Sequence, residues 1–127
     1  MAELTVAPAT PADEAAWSDL LGGYAAAYAH TMTPVLASRI FNDLLRADRT
    51  EQLLIARQAG RAIGFVCYTP VLHLLTGRKI YKLLDMYIAP EARGADAGRH
   101  LIKAVIEAAR DDDGLMVRWQ ADSRNVA

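Results

Sequence analysis

The strongest constraint on this chain is a strand–loop–helix–strand run in its second half. Lys79 to Ile88 is patterned as a strand, and Pro90 to Ala97 is a glycine-containing loop. Leu101, Ile102, Val105, Ile106 and Ala109 then recur at helical spacing. Asp111-Asp112-Asp113-Gly114 ends that helix as a solvated, fraying exit, and Leu115 to Ala121 reads as a further strand. A helix that connects two strands of one sheet makes a right-handed crossover and leaves them parallel. The fold must therefore contain at least one parallel pair.

The first half supplies an antiparallel partner for it. Leu4 to Ala7 is a short strand. Thr10-Pro11-Ala12-Asp13 is a helix start, with Thr10 as cap, Pro11 in the first turn and Asp13 reaching back. Trp17, Leu20, Leu21, Tyr24 and Tyr28 follow on one helical stripe, and Gly22-Gly23 is expected to bend or break it. Thr33-Pro34 opens a second helix bearing Leu36, Ile40, Phe41, Leu44 and Leu45, which Asp48-Arg49-Thr50 ends. Gln52 to Gln58, a turn at Ala59-Gly60-Arg61, and Ala62 to Leu72 form a hairpin, with a bend expected at Pro70. Thr76-Gly77-Arg78 turns the chain into the strand at Lys79. The order β-α-α-β-β-β-α-β is an α+β (mixed α/β) layout with a mostly antiparallel sheet, not a Rossmann alternation.

Composition narrows the function classes. A chain of 127 residues, 53% hydrophobic and 23% charged, fits one globular domain spanning 1–127. A net charge of −1 carries no electrostatic footprint for nucleic acid or an anionic membrane. Cys67 is the one cysteine, so no intrachain disulfide forms. No apolar run is long enough to cross a bilayer, and the start of the chain lacks a signal-peptide pattern, so the expected location is cytoplasmic. His30, His73 and His100 have no metal-ligand spacing with Cys67 or with carboxylates, so no metal is expected. Cys67 alternates with Phe65 along a buried-looking strand and reads as core.

Chemistry concentrates in Asp85 to Ile102. The first N–H groups of a helix have no partner inside it, and with the helix dipole they attract anions such as a diphosphate. Glycines let a backbone come close to phosphates, although many strand–helix turns use glycine only to turn. Ile88-Ala89-Pro90-x-x-Arg93-Gly94-x-x-x-Gly98 followed by an apolar helix resembles the acetyl-CoA loop of the GNAT superfamily of N-acetyltransferases. That family's pattern is Arg/Gln-x-x-Gly-x-Gly/Ala; Arg93 and Gly98 match its ends, and Asp96 stands where the middle glycine is expected. Asp85-Met86-Tyr87-Ile88 is similar to the family's Asp-Leu-Tyr-Val strand. Arg118 to Ala127 resembles the next segment, a Trp-bearing strand followed by an Asn that starts the last helix.

The resemblance implies an acetyl-CoA-dependent N-acetyltransferase acting on a primary amine of a small molecule, amino acid or peptide, by direct transfer in a ternary complex. It implies that the backbone of Met86, Tyr87 and Ile88 pairs with the pantetheine arm along an edge splayed from the strand at 115–121. It also implies that amides from Arg93 through Gly94, Ala95, Asp96, Ala97 and Gly98 to Arg99 hold the diphosphate, with Asn125 contacting the CoA side or capping the helix that follows it. Tyr24 and Tyr28, one helical turn apart, are expected on a substrate-cleft wall or as core residues with wetted hydroxyls. Asp85 is the candidate general base, or else a structural carboxylate tied to a nearby turn. By simple alternation it shares a face with Tyr81, Leu83 and Tyr87. Relatives that acetylate polyamines often carry Glu just before this Asp; Leu84 here counts against such a substrate.

Two departures from the pattern matter. A carboxylate at Asp96 repels phosphate by about 4 kcal/mol at 4 Å in an effective dielectric near 20, less if it faces solvent. Its Cβ also restricts the loop if the position needs φ > 0; Arg93 and Arg99 are placed to compensate. The family continues past Asn125 into a Tyr-bearing helix and hairpin, so the sequence is expected to stop before the fold is complete. That exposes strand 115–121 as an edge for a homodimer. The alternative function is a non-catalytic, GNAT-like binding or dimerisation module.

Overall fold

The computed structural model describes residues 3–94 and 96–119. Strand β1 (Leu4–Pro8) leads through a single 3-10 turn at Pro11–Asp13 into helix α1 (Glu14–Ala27). The reach-back of Asp13 is present, since the Thr10 N–H donates to its Oδ2 at 2.8 Å. Helix α2 (Pro34–Leu44) begins as its sequence dictates: Thr33 Oγ1 accepts from the Leu36 N–H at 3.1 Å. Strands β2 (Gln52–Gln58), β3 (Arg61–Leu72) and β4 (Lys79–Ile88) follow, then helix α3 (Ala97–Asp111) and strand β5 (Met116–Arg118). The sheet order is β1-β2-β3-β4-β5, antiparallel except for the parallel pair β4–β5. The crossover expected from sequence is therefore in place.

The sheet separates two apolar layers. β2 runs Leu53-Leu54-Ile55-Ala56 buried without a break, because a central strand covered on both faces has no polar side to show. Leu54, Ala56, Val66, Tyr68 and Tyr81 pack against the α3 stripe Ala97, Leu101, Val105 and Ala109. Leu53, Ile55 and Phe65 pack on the other face against Trp17, Leu20 and Leu21 of α1 and Ala37 and Phe41 of α2. Trp17 lies 5.5 Å from the Phe41 ring and 5.8 Å from that of Phe65. Its buried indole N–H has no hydrogen-bond partner among the described residues.

Several expectations need correction. Gly22-Gly23 does not break α1, which is continuous from Glu14 to Ala27 because its stripe is anchored on the sheet. A Cβ at Gly23 would sit 2.5 Å from Tyr87 Oη, so this glycine serves a close approach. β3 runs through Pro70 to Leu72 as expected: Pro70 pairs with Tyr81 of β4 beyond Tyr68, where β3 has left β2 and is an edge on that side. The Asp111–Asp113 exit is not merely solvated. Asp112 accepts from Lys79 Nζ at 2.9 Å and from the Tyr81 hydroxyl, which ties the end of α3 to β4. Burial first, then this bond, pushes the Tyr81 phenol above its ordinary value. The Tyr81 bond and then Lys79 hold Asp112 below its own. β5 covers Met116–Arg118 only, and Gln120 and Ala121 of the expected strand lie outside the described residues.

The correction with most consequence is in β4. Cys67 pairs with Asp85 but Tyr68 pairs with Leu83, so Leu84 is an extra, bulged residue. Alternation restarts after it. Tyr81 and Leu83 pack with the α3 layer, as do Met86 and Ile88, whereas Tyr87 packs with the α1/α2 layer. Asp85 therefore shares a face with Tyr87 but not with Tyr81 and Leu83. Strict alternation fails because one residue was inserted into the strand.

Candidate active site

β5 pairs with β4 only from Ile80 to Lys82. Beyond that point, from Leu83 to Ile88, β4 has β3 on one side and no strand on the other among the described residues. Every second residue of such an edge turns its N–H and C=O outward. The opening continues into a cleft of about 1360 Å³, larger than the roughly 300–1,000 Å³ typical of a single small-ligand site. Asp85, Met86, Tyr87 and Ile88 line it together with Arg93, Gly94, Asp96, Ala97, Gly98 and Arg99, and Tyr24 and Tyr28 face it from α1 and its exit. Residues expected from sequence at one site are thus brought together. Ala95 and Asn125 lie outside the described residues.

The loop between β4 and α3 has a specific shape. Gly94 has φ +91° and Asp96 has φ +62° with ψ 13°. The left-handed conformation at Asp96 is the strain that a glycine would relieve, as the sequence led one to expect. Asp96 is the N-cap of α3, yet its side chain makes no cap bond, so the first amides of α3 are not consumed by it. A Cβ built on Gly98 would meet nothing within 4 Å, which leaves the helix start open to the cleft. The Asp96 carboxylate is 64% exposed and lies 3.9 Å from Arg99 Nη1, so its charge is both solvated and partly offset. Arg93 does different work. Its Nε donates to the Ile88 carbonyl at 3.2 Å and its guanidinium lies 5.8 Å from the Tyr87 ring centre, which fastens the loop to β4.

Asp85 is held by α1. The Tyr24 hydroxyl donates to its Oδ1 at 2.6 Å. The Tyr24 ring meets those of Tyr28, Phe65 and Tyr87 edge-on, at 5.2, 5.7 and 5.9 Å. Both sequence alternatives for Tyr24 and Tyr28 are partly realised: they are half-buried and they line the cleft. The partner of Asp85 is a helix side chain rather than a turn. Opposite Asp85, Cys67 is buried; burial first, then the carboxylates of Asp85 and Glu51, pushes its thiol up to about 12. Such a thiol supplies no thiolate near neutral pH, in keeping with its reading as core. No group of His, Cys, Asp and Glu among the described residues could hold a metal.

Sequence reasoning missed Lys82, Leu84, Arg118 and Trp119, which also line the cleft. Leu84 had no signal, since a bulge is set by pairing across strands. The cations at Lys82 and Arg118 were visible, but their common face depends on the register of β4 with β5.

Residues 14–127 match the Acetyltransferase (GNAT) family profile. An uncharacterized N-acetyltransferase, YhfO of Bacillus subtilis (strain 168), is 30% identical over 73 residues, 58% of this chain and 49% of that protein. The match thus spans about half the length of this curated relative. Among solved structures, ribosomal-protein-alanine N-acetyltransferase from Brucella melitensis biovar Abortus 2308 superposes with TM-score 0.81 at 23% identity, over 95% of this chain and 82% of that one. Aminoglycoside N-acetyltransferase AAC(6')-Iy in complex with CoA superposes with TM-score 0.80 at 16% identity, over 98% and 81%. At these identities the two structures show a shared fold.

Proposed function

The chain belongs to the acetyltransferase (GNAT) family, and from that premise we propose that it transfers acetyl from acetyl-CoA to a primary amine, directly, in a ternary complex. The observation that carries this reading is one cleft that joins an unpaired strand edge, an open helix start and a positioned carboxylate. Acetyl-CoA supplies the activated thioester. The residues fit such a ligand: the edge of Met86 to Ile88 suits an extended amide-bearing arm, and Gly98 leaves space where a side chain would block a diphosphate.

The chain's own groups then have defined tasks. Amides at the start of α3, with Arg99 beside them, hold phosphate. Arg93 keeps the loop against β4. Outward amides of the Met86–Ile88 stretch stabilise negative charge growing on the carbonyl oxygen. Asp85 takes the proton that an attacking amine must lose, directly or through one water, while Tyr24 fixes its carboxylate. Cys67 has no part, so no acyl-enzyme forms. Arg93 is tethered, and offsetting Asp96 falls to Arg99. A homodimer along the outer edge of β5, in the cytoplasm, belongs to the same proposal.

Asp96 motivates the second reading, a domain that binds CoA weakly and does not catalyse. Calorimetry with acetyl-CoA and a thiol-release assay over an amine panel separate the two. Binding with amine-dependent thiol release supports the enzyme. Binding without release from any amine supports the module. No heat up to millimolar acetyl-CoA would sink both.

A further inference from the structure

On the acetyltransferase reading, the acceptor occupies the cleft end nearest the point where β4 and β5 part. We propose that this acceptor carries a carboxylate beside its amine, and that Lys82 and Arg118 bind the carboxylate while the amine meets Asp85. The acceptor class is thereby narrowed from amines at large to amino acids and their close analogues.

Three placements support this. Lys82 and Arg118 are register partners on adjacent strands, about 4.8 Å apart in backbone. Tyr81 and Leu83 pack under α3, as does Val117, so the side chains between and after them point to the opposite face. The Leu84 bulge puts Asp85 on that same face, about two strand steps from Lys82, or roughly 7 Å. A carboxylate and two cations thus line one stretch of one cleft.

Among the described residues no carboxylate reaches either cation. Both are exposed, and neither forms an ion pair among the described residues. The polar contact recorded for Arg118 is to Met116 Sδ at 3.7 Å. Lys79, three positions before Lys82, instead pairs with Asp112 at 2.9 Å, and Arg57 and Arg61 pair with Asp13 and Glu91. Like charges set directly across a strand pair repel. An anion between them removes that repulsion, and a guanidinium beside an ammonium suits a planar carboxylate. The CoA phosphates have their own cation at Arg99, toward the far end of β4, so Lys82 and Arg118 are left for the acceptor.

The test uses matched pairs that differ only by a carboxylate: tyrosine with tyramine, ornithine with putrescine, and leucine with isoamylamine. Each is titrated by calorimetry into the CoA-loaded full chain, wild type and the variants Lys82→Ala, Lys82→Gln and Arg118→Ala, with thiol release from acetyl-CoA measured alongside. At least one carboxylate-bearing member should bind about tenfold tighter than its partner, the scale of a hydrogen-bonded charge pair. Each variant should bring that ratio toward one, and Lys82→Gln keeps the test intact should the alanine variant fold poorly. Equal binding within every pair, no binding by any carboxylate-bearing member, or a preference that survives at both positions overturns the proposal. Thiol release without preference leaves the enzyme reading standing and removes this one. Preference without thiol release does the reverse.

Discussion

Removing one oxygen from Tyr24 isolates what α1 contributes to Asp85. Tyr24→Phe deletes the 2.6 Å bond to Asp85 Oδ1 and keeps the ring, whose contacts with Tyr28, Phe65 and Tyr87 need no hydroxyl. The separation lies within the short range of charge-assisted O–H···O bonds, about 2.5–2.7 Å. Bonds to a charged partner contribute about 1.5–3 kcal/mol. Both groups are half-buried, so the lower end applies, and about 1.4 kcal/mol is tenfold in rate. The variant should therefore lose about tenfold in kcat, while KM for acetyl-CoA changes less than about twofold because the carboxylate, not the CoA end, is released. In urea unfolding it should lose about 1 kcal/mol. The same change made on Asp85→Asn should cost distinctly less, because the charged acceptor is already gone. Unaltered kcat in Tyr24→Phe, or strict additivity with Asp85→Asn in both stability and rate, would refute the positioning role.

Three further outcomes follow from the geometry. Gly22→Ala should raise stability by about 0.5–1 kcal/mol through helix propensity, because its Cβ meets nothing within 4 Å, whereas Gly23→Ala should lower it by displacing Tyr87; equal thermal melts for the two variants would contradict the packing described. Asp96→Gly should tighten CoA binding by about threefold or more through loss of a carboxylate, while relief of φ +62° should appear as a higher thermal melt; calorimetry showing unchanged or weaker binding would mean that the carboxylate is not felt at the phosphates. Burial raises the Asp13 carboxyl, but the Thr10 N–H and the Arg57 guanidinium outweigh it and hold Asp13 below its usual value. Its contribution is therefore complete above the unfolded-chain value of about 3.9 and is lost as pH falls through the lower folded one. Asp13→Asn should flatten that acid loss in melts taken between pH 5 and pH 2, and an unchanged acid profile would count against the pairing.

Local signals in this chain were reliable wherever one segment decides its own conformation. Thr33-Pro34, the β2–β3 hairpin and the apolar stripe of α3 each carry a cap, a turn or a period, and each appears as expected. The lining of the candidate cleft was legible where a loop motif implied it, at Met86, Tyr87, Ile88, Arg93, Gly94 and Asp96 to Arg99. What was hidden depends on pairs of segments. Nothing in Leu84 itself announces a bulge, and the faces of Asp85 and Lys82 follow from that bulge. The continuity of α1 through two glycines is settled by Trp17, Leu20 and Leu21 against the sheet, which outweighs a local propensity near 1 kcal/mol per glycine. Asp112 looked like part of a solvated run because its partners, Lys79 and Tyr81, lie more than thirty positions earlier.

The single surplus residue in β4 acts on everything after it as a change of parity. Were β4 to keep Leu84 and pair with β3 regularly, Asp85 would be directed at the α3 layer, Tyr87 would leave the notch beside Gly23, and Met86 would swap places with the aromatic next to it. Point substitutions can retune the chemistry of this site by degrees. A one-residue slip of register past the bulge would turn it inside out.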